Sequence, residues 1–265
     1  MFPDLIDLGF LHLKTYGACM AVGFLLCWNL VERLSGRKDL SNLLISVMIA
    51  GVVGSRIAYV IEHWSAEFAA NPLLVVRVDQ GGLMFYGGLI LALVVGAVWC
   101  FVRRENPLAL ADLMATVVPL GHACGRIGCF FYGCCYGRLS DSPLAVSFPA
   151  HSPAWVEQYH AGLIAATAPR ALPVLPTQLF EAGGLLVLFA VLLLLRSRAP
   201  RPNGFLLGAY LGGYALLRFA LEFLRGDPRA AIGPFSISQS ISLAMALLAV
   251  VLLVRPLVSR RRSCR

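Results

Sequence analysis

Apolar residues run through this chain in long uninterrupted blocks, separated by short polar clusters in which arginine dominates. A bilayer core about 30 Å thick takes roughly 20 apolar residues per helix. Seven stretches meet that length: 16–31, 43–61, 86–102, 108–125, 178–195, 205–224 and 237–254. The fourth is interrupted by Asp112, Thr116 and His122. Lipid-facing helices seldom carry such residues, so this one is expected inside the bundle. The pattern predicts an all-α integral membrane protein with seven transmembrane helices.

The basic clusters predict its orientation. Arg33, Arg37 and Lys38 follow the first block, Arg103 and Arg104 the third, and Arg196, Arg198 and Arg201 the fifth. Arg255, Arg260, Arg261, Arg262 and Arg265 follow the seventh. With seven spans all four clusters share one side, which the positive-inside tendency makes cytoplasmic. The amino terminus is then outside and the carboxyl terminus cytoplasmic. Segments 62–85, 129–177 and 226–236 fall outside. The proline-rich 129–177, with Pro143, Pro149 and Pro153, reads as an extracytoplasmic cap on a single domain spanning 1–265. Asp4 and Asp7 occupy the place of a basic n-region, so no cleaved signal peptide is expected.

Composition agrees: 58% of the 265 residues are hydrophobic and 14% charged, well below a soluble domain. The net charge of +8 fits cytoplasmic loops against anionic lipid, so the bilayer is an expected partner and nucleic acid is not. Eight scattered cysteines do not make the framework of a small secreted domain. Cys19, Cys27 and Cys100 lie in apolar blocks and read as packing residues. Cys124, Cys129, Cys134 and Cys135 match none of the usual CxxC metal spacings, so neither a metal nor another cofactor is expected. A disulfide and plain packing both remain open for them.

The chemistry concentrates in GRIGCFFYGCCYG at 125–137. Arginine at a membrane boundary is costly without a partner, and its fork suits a phosphate. In the assigned topology Arg56, Arg126, Arg218, Glu222 and Arg225 all fall in the outer-leaflet half, and Tyr16 and Tyr86 open their helices from that side. Independent segments converging on one depth argue for one site, the floor of an anionic headgroup pocket. Arg218 and Glu222, four apart, share a helix face and can pair. Arg56 and Arg126 are read as guanidinium groups awaiting an anion, with Glu62, Glu181 or Asp112 as the available structural partners. The glycine-rich stretch 80–89, with Gly87 and Gly88, suits either a broken helix entry or close helix packing. Thr177 is expected to cap the fifth span. Glu181, one turn inside it, has a functional and a supporting reading, and His122 reads either as a base or as a satisfied buried histidine.

These motifs resemble those of the prolipoprotein diacylglyceryl transferase family over nearly the full chain. The resemblance is carried by Tyr16-Gly17, Gly54-Ser55-Arg56-Ile57, the stretch 79–90, the 125–137 stretch, Pro176 to Glu181, and Tyr214 to Arg225. It implies transfer of a diacylglyceryl group from phosphatidylglycerol to the lipobox cysteine of a preprolipoprotein signal peptide, with release of glycerol phosphate, in the bacterial inner membrane. It implies further that Arg126 and Arg218 hold the phosphate and that Glu222 orients an arginine. Arg56, Gln178 and Glu181 would line the cavity, with Gly133 and Gly137 matching family glycines. This chain departs from the family at Tyr86, where histidine is usual, at Cys129 in place of asparagine, and at Cys134 in place of glutamate. A tyrosine with a reference pKa near 10 is a poor base, so a donor role is expected for Tyr86. A divergent paralogue acting on another acceptor, or binding lipid or signal peptide without catalysis, is the competing reading.

Overall fold

The fold is given by a computed structural model, which describes residues 4–7, 12–69, 71–76, 82–198, 200–226, 231–232 and 235–263. Asp79, Gln80 and Gly81 of the second glycine-rich stretch lie outside the described residues, as do the side chains of Arg260, Arg261 and Arg262. A short hairpin, β1 (Asp4–Asp7) and β2 (His12–Lys14), precedes α1 (Thr15–Ser35), α2 (Leu40–Glu62), α3 (Phe85–Arg103) and α4 (Pro107–Tyr132). The short α5 (Pro153–His160) is followed by α6 (Thr177–Arg198) and α7 (Phe205–Glu222). The small pair β3 (Ala231–Ile232) and β4 (Phe235–Ser236) then leads into α8 (Ile237–Ser263). Seven of these helices, all but α5, are long and apolar enough to cross a membrane. The protein is an all-α, multi-span membrane protein.

The fourth span differs from its expected form in one way that matters. It does not end at Gly125 but runs on to Tyr132. Gly125 and Gly128 are not breakers here; they let α1 approach, Gly125 facing Met20 and Gly128 facing Tyr16 and Cys19. The helix stops at Gly133, whose φ of +83° only glycine adopts freely, with Gly133 and Cys134 N–H closing on the Cys129 carbonyl. Half of the apolar stretch of α4 is buried, against 28% in α6 and α7, which fits its interior position.

The chain forms two compact units, one of Val31–Leu110 and one of Met1–Leu30 with Ala111–Arg265. In the first, α2 packs on α3 through glycine. A methyl group at Gly87 would run into the Gly54 carbonyl, and one at Gly88 into Ser55. A polar knot joins the loops of this unit: Arg37 donates to Asp39 and Glu105, and Arg103 to Asp39. These bonds, from Arg37 above all, hold the Asp39 and Glu105 carboxyls below their usual range and Arg37 above its own.

In the second unit α6 and α7 flank α4 around Ala123, Ala182 and Leu185. Asp112 of α4 accepts the Gly204 and Leu207 N–H groups at 2.7 Å each, so it caps α7 from a neighbouring helix. The segment between α4 and α6 is folded. Bridges join Leu139 and Val146 to Val174 and Pro149 to Arg170, over a core of Tyr136, Phe148, Ala154, Trp155, Ala171 and Val174. Ser152 caps α5, and Pro153 sits at its first turn.

Candidate active site

The second unit gathers its charges where α4, α6 and α7 meet. His122 and Arg126 lie one turn apart on α4, Glu181 in the first turns of α6, and Tyr214, Arg218 and Glu222 on successive turns of α7. Arg126 Nη2 is 3.1 Å from Glu181 Oε1, and Arg126 Nε donates to His122 Nε2 at 3.3 Å. Tyr214 donates its hydroxyl to Glu181 at 3.3 Å and its ring tilts against His122 at 5.2 Å. Glu181 is 1% exposed, and a carboxylate so buried persists only because cations and donors surround it. Arg126 is therefore not an unpaired guanidinium: Glu181, 55 residues downstream, is its partner. His122 accepts from Arg126 and so sits in the network as a satisfied histidine.

Arg218 is different. Its Nη2 donates to Ser238 Oγ of α8 at 2.9 Å and lies 3.0 Å from Glu222 Oε2. The contact with Glu222 has ion-pair distance without hydrogen-bond geometry, and Glu222 Oε2 has no hydrogen-bond partner among the described residues. Nη1 of Arg218 is likewise buried with none among them. A buried donor left unmade costs about 1–3 kcal/mol, more when charged, so a group in this state calls for an acceptor.

Beside this network the 129–137 turn is pinned on both sides. Gln178, 1% exposed, donates Nε2 to the Cys134 carbonyl at 2.7 Å, leaving its own Oε1 unpartnered. Thr177 donates Oγ1 to the Cys135 carbonyl at 2.9 Å. Thr177 is thus the first helical residue of α6, tied to the turn, rather than the expected cap. Gly137 bridges Arg225, and a Cβ there would meet Leu224 and Leu175 backbone and side chain. Tyr16, 42% exposed, stands at the start of α1 against Gly128. Cys129, Cys134 and Cys135 are free thiols whose sulfurs all lie within 4.8 Å of one another. Hydrogen bonds from Cys129 and Cys134, then the Arg225 guanidinium, hold the Cys135 thiol low, while hydrogen bonds with Cys129 and Cys135 raise Cys134. A cavity of about 730 Å³ opens in the cap between Phe148, His151 and Glu157, away from the arginines.

The remaining sequence candidates belong to the first unit. Arg56 is not awaiting an anion. Its Nε, Nη1 and Nη2 donate to the Val75, Gly82 and Leu74 carbonyls at 2.9, 3.0 and 2.6 Å, between the Tyr59 and Phe68 rings. Backbone oxygens of a turn leave no mark in the sequence, whereas acidic side chains do. Gly87 and Gly88 face α2, and Tyr86 is 55% exposed at the start of α3. Sequence reading missed Tyr214 and Ser238. Tyr214 had a signal, since it stands four residues before Arg218 on the face that also holds Glu222.

The chain is similar to known proteins over most of its length. Residues 3–255 match the family described as prolipoprotein diacylglyceryl transferase. A phosphatidylglycerol–prolipoprotein diacylglyceryl transferase of Geobacter sulfurreducens is 31% identical over 98% of this chain and 96% of its own. Proteins of the same name from Pseudoalteromonas translucida and Photobacterium profundum are 33% and 34% identical, over 92% and 95% of this chain and 88% and 92% of theirs. The chain belongs to the prolipoprotein diacylglyceryl transferase family.

Proposed function

We infer that this protein transfers the diacylglyceryl group of phosphatidylglycerol to the lipobox cysteine of preprolipoproteins, in the bacterial inner membrane. Family membership supports the reaction, and one observation carries the assignment of the site: the buried, unpartnered Nη1 of Arg218 beside the Arg126–Glu181 pair. The reaction breaks a carbon–oxygen bond and leaves a phosphate monoester with added negative charge. A guanidinium donor already desolvated, with no acceptor for Nη1 among the described residues, meets that charge without reorganisation. Arg126, oriented by Glu181 and His122, supplies the second cation, and Glu222 holds Arg218 in place. Tyr16, Gln178, Gly133, Gly137 and Arg225 frame the turn next to them. The amino terminus and the 129–177 cap face outward, so the acceptor cysteine is met on the side where a translocated signal peptide emerges.

The test is rescue of a strain lacking its own transferase, paired with lipidation of a lipobox peptide by purified protein in phosphatidylglycerol micelles. Rescue and thioether formation are expected with the wild type. Failure of a well-inserted wild-type protein in both assays would overturn the reading.

A further inference from the structure

The three sulfurs of Cys129, Cys134 and Cys135 are brought together by a turn that has no other evident use for its geometry. Cys129 lies in the last turn of α4, and Cys135 sits at φ +61°, a left-handed conformation that a non-glycine residue adopts at a cost. That backbone turns Cys135 back toward Cys129, and the Gln178 and Thr177 bonds to the Cys134 and Cys135 carbonyls hold it there. Linear spacing hides this cluster, because it comes from one helix end and one left-handed residue rather than from a CxxC knuckle. All three thiols are partly exposed.

We propose that Cys129, Cys134 and Cys135 bind a zinc ion whose fourth position receives the acceptor cysteine of the substrate. Four sulfurs around zinc at about 2.3 Å stand about 3.8 Å apart, so three already within 4.8 Å need only small side-chain rotations. Three protein ligands and one open position is the arrangement of catalytic rather than structural zinc. Arg225, against Cys135, offsets part of the negative charge that the thiolates bring. The proposal rests on the transferase reading and deepens it, by supplying a route to the thiolate that uses neither Glu181 nor His122. Glu181 is engaged by Arg126 and Tyr214, and His122 Nε2 by Arg126, so neither is free to take a proton from a thiol.

The step balances without a further reactant. The acceptor thiol loses its proton to water as its sulfur binds zinc, which deprotonates a coordinated thiol outright. The sulfur then attacks the glycerol carbon. The sulfur–carbon bond forms as the carbon–oxygen bond breaks, and the electron pair leaves on the phosphate oxygen of glycerol phosphate, facing the arginines. The proton released at the start balances the charge gained by the leaving group.

The experiment uses the full-length protein purified in detergent, stripped with a chelator and reloaded with zinc or cobalt(II). One zinc per chain is expected, with a sulfur-to-cobalt charge-transfer band that each of Cys129→Ser, Cys134→Ser and Cys135→Ser abolishes. A lipobox peptide should shift the cobalt ligand-field bands, whereas the same peptide with serine at the acceptor position should not. Stripping should slow transfer by about a hundredfold, the lower range of general-base assistance, and zinc should restore it. Full transfer by metal-free protein, stoichiometric copper in place of zinc, or serine variants that keep the metal would each overturn the proposal while leaving the transferase reading standing. A zinc-loaded protein whose cobalt bands respond to the acceptor thiol, yet which transfers no lipid, would overturn the transferase reading instead.

Discussion

Arg56 and Arg218 are the same side chain on two membrane-spanning helices, and their surroundings are opposites. Arg56 has each of its guanidinium nitrogens on a backbone carbonyl, flanked by two rings. Arg218 is more deeply buried and keeps one nitrogen with no acceptor among the described residues. The first arrangement ties a loop to a helix; the second is the one the proposed site uses. Burial and residue type do not separate a structural arginine from a working one, whereas the count of satisfied donors does.

The largest expected effect tests that distinction at once. Arg218→Ala and Arg126→Ala should each lower transfer by about 10²–10³-fold or more, the scale of a lost preorganised donor, while the purified variants still unfold cooperatively. Arg218→Lys should rescue little, since an ammonium cannot reproduce a forked contact with phosphate. Wild-type turnover in a folded Arg218→Ala variant would erase the contrast with Arg56.

Arg56→Ala should act on the other axis. Three carbonyls lose a charged donor, so thermal or denaturant unfolding in detergent should show a loss of about 3 kcal/mol. Turnover per folded molecule should change much less. The reverse pattern, intact stability with lost kcat, would move Arg56 into the site.

A smaller effect is expected at Tyr86. Tyr86→Phe removes one hydroxyl and should weaken transfer by about 1–2 kcal/mol, measured as kcat/KM on a lipobox peptide across pH 6 to 9. Complete loss would make the tyrosine hydroxyl essential rather than a donor of orientation.

The smallest effect concerns the knot of Arg37, Asp39, Arg103 and Glu105. Its carboxyls titrate lower in the folded protein than in the unfolded chain, chiefly through Arg37. Their contribution to stability is therefore present above about pH 4 and is lost as pH falls through the lowered values. Asp39→Asn should lower the Tm slightly at pH 7 in low salt, and the difference from wild type should close on acidification. A difference that widens toward acid would reverse the sign of this linkage.

Much of the fold was legible because apolar length is a local property: each of the seven spans could be seen in its own 20 or so residues. The end of α4 lies beyond the expected Gly125, in a stretch where Gly125 and Gly128 leave space that α1 fills. The site was legible in its cations and illegible in its partners. Arg126 and Glu181 are far apart in sequence, and the carbonyls around Arg56 belong to the backbone. The thiol cluster escaped because it depends on one positive φ at Cys135, which residue types do not announce.

Asp112 has a consequence for how the protein is made. Its carboxylate accepts the N–H groups of Gly204 and Leu207, 92 and 95 residues later. During synthesis α4 reaches the bilayer with a charge that costs up to about 2.5–3.5 kcal/mol to insert, and nothing already made relieves it. Its full settlement in the membrane therefore waits for the start of α7, so biogenesis carries a built-in order in which a late segment secures an early one.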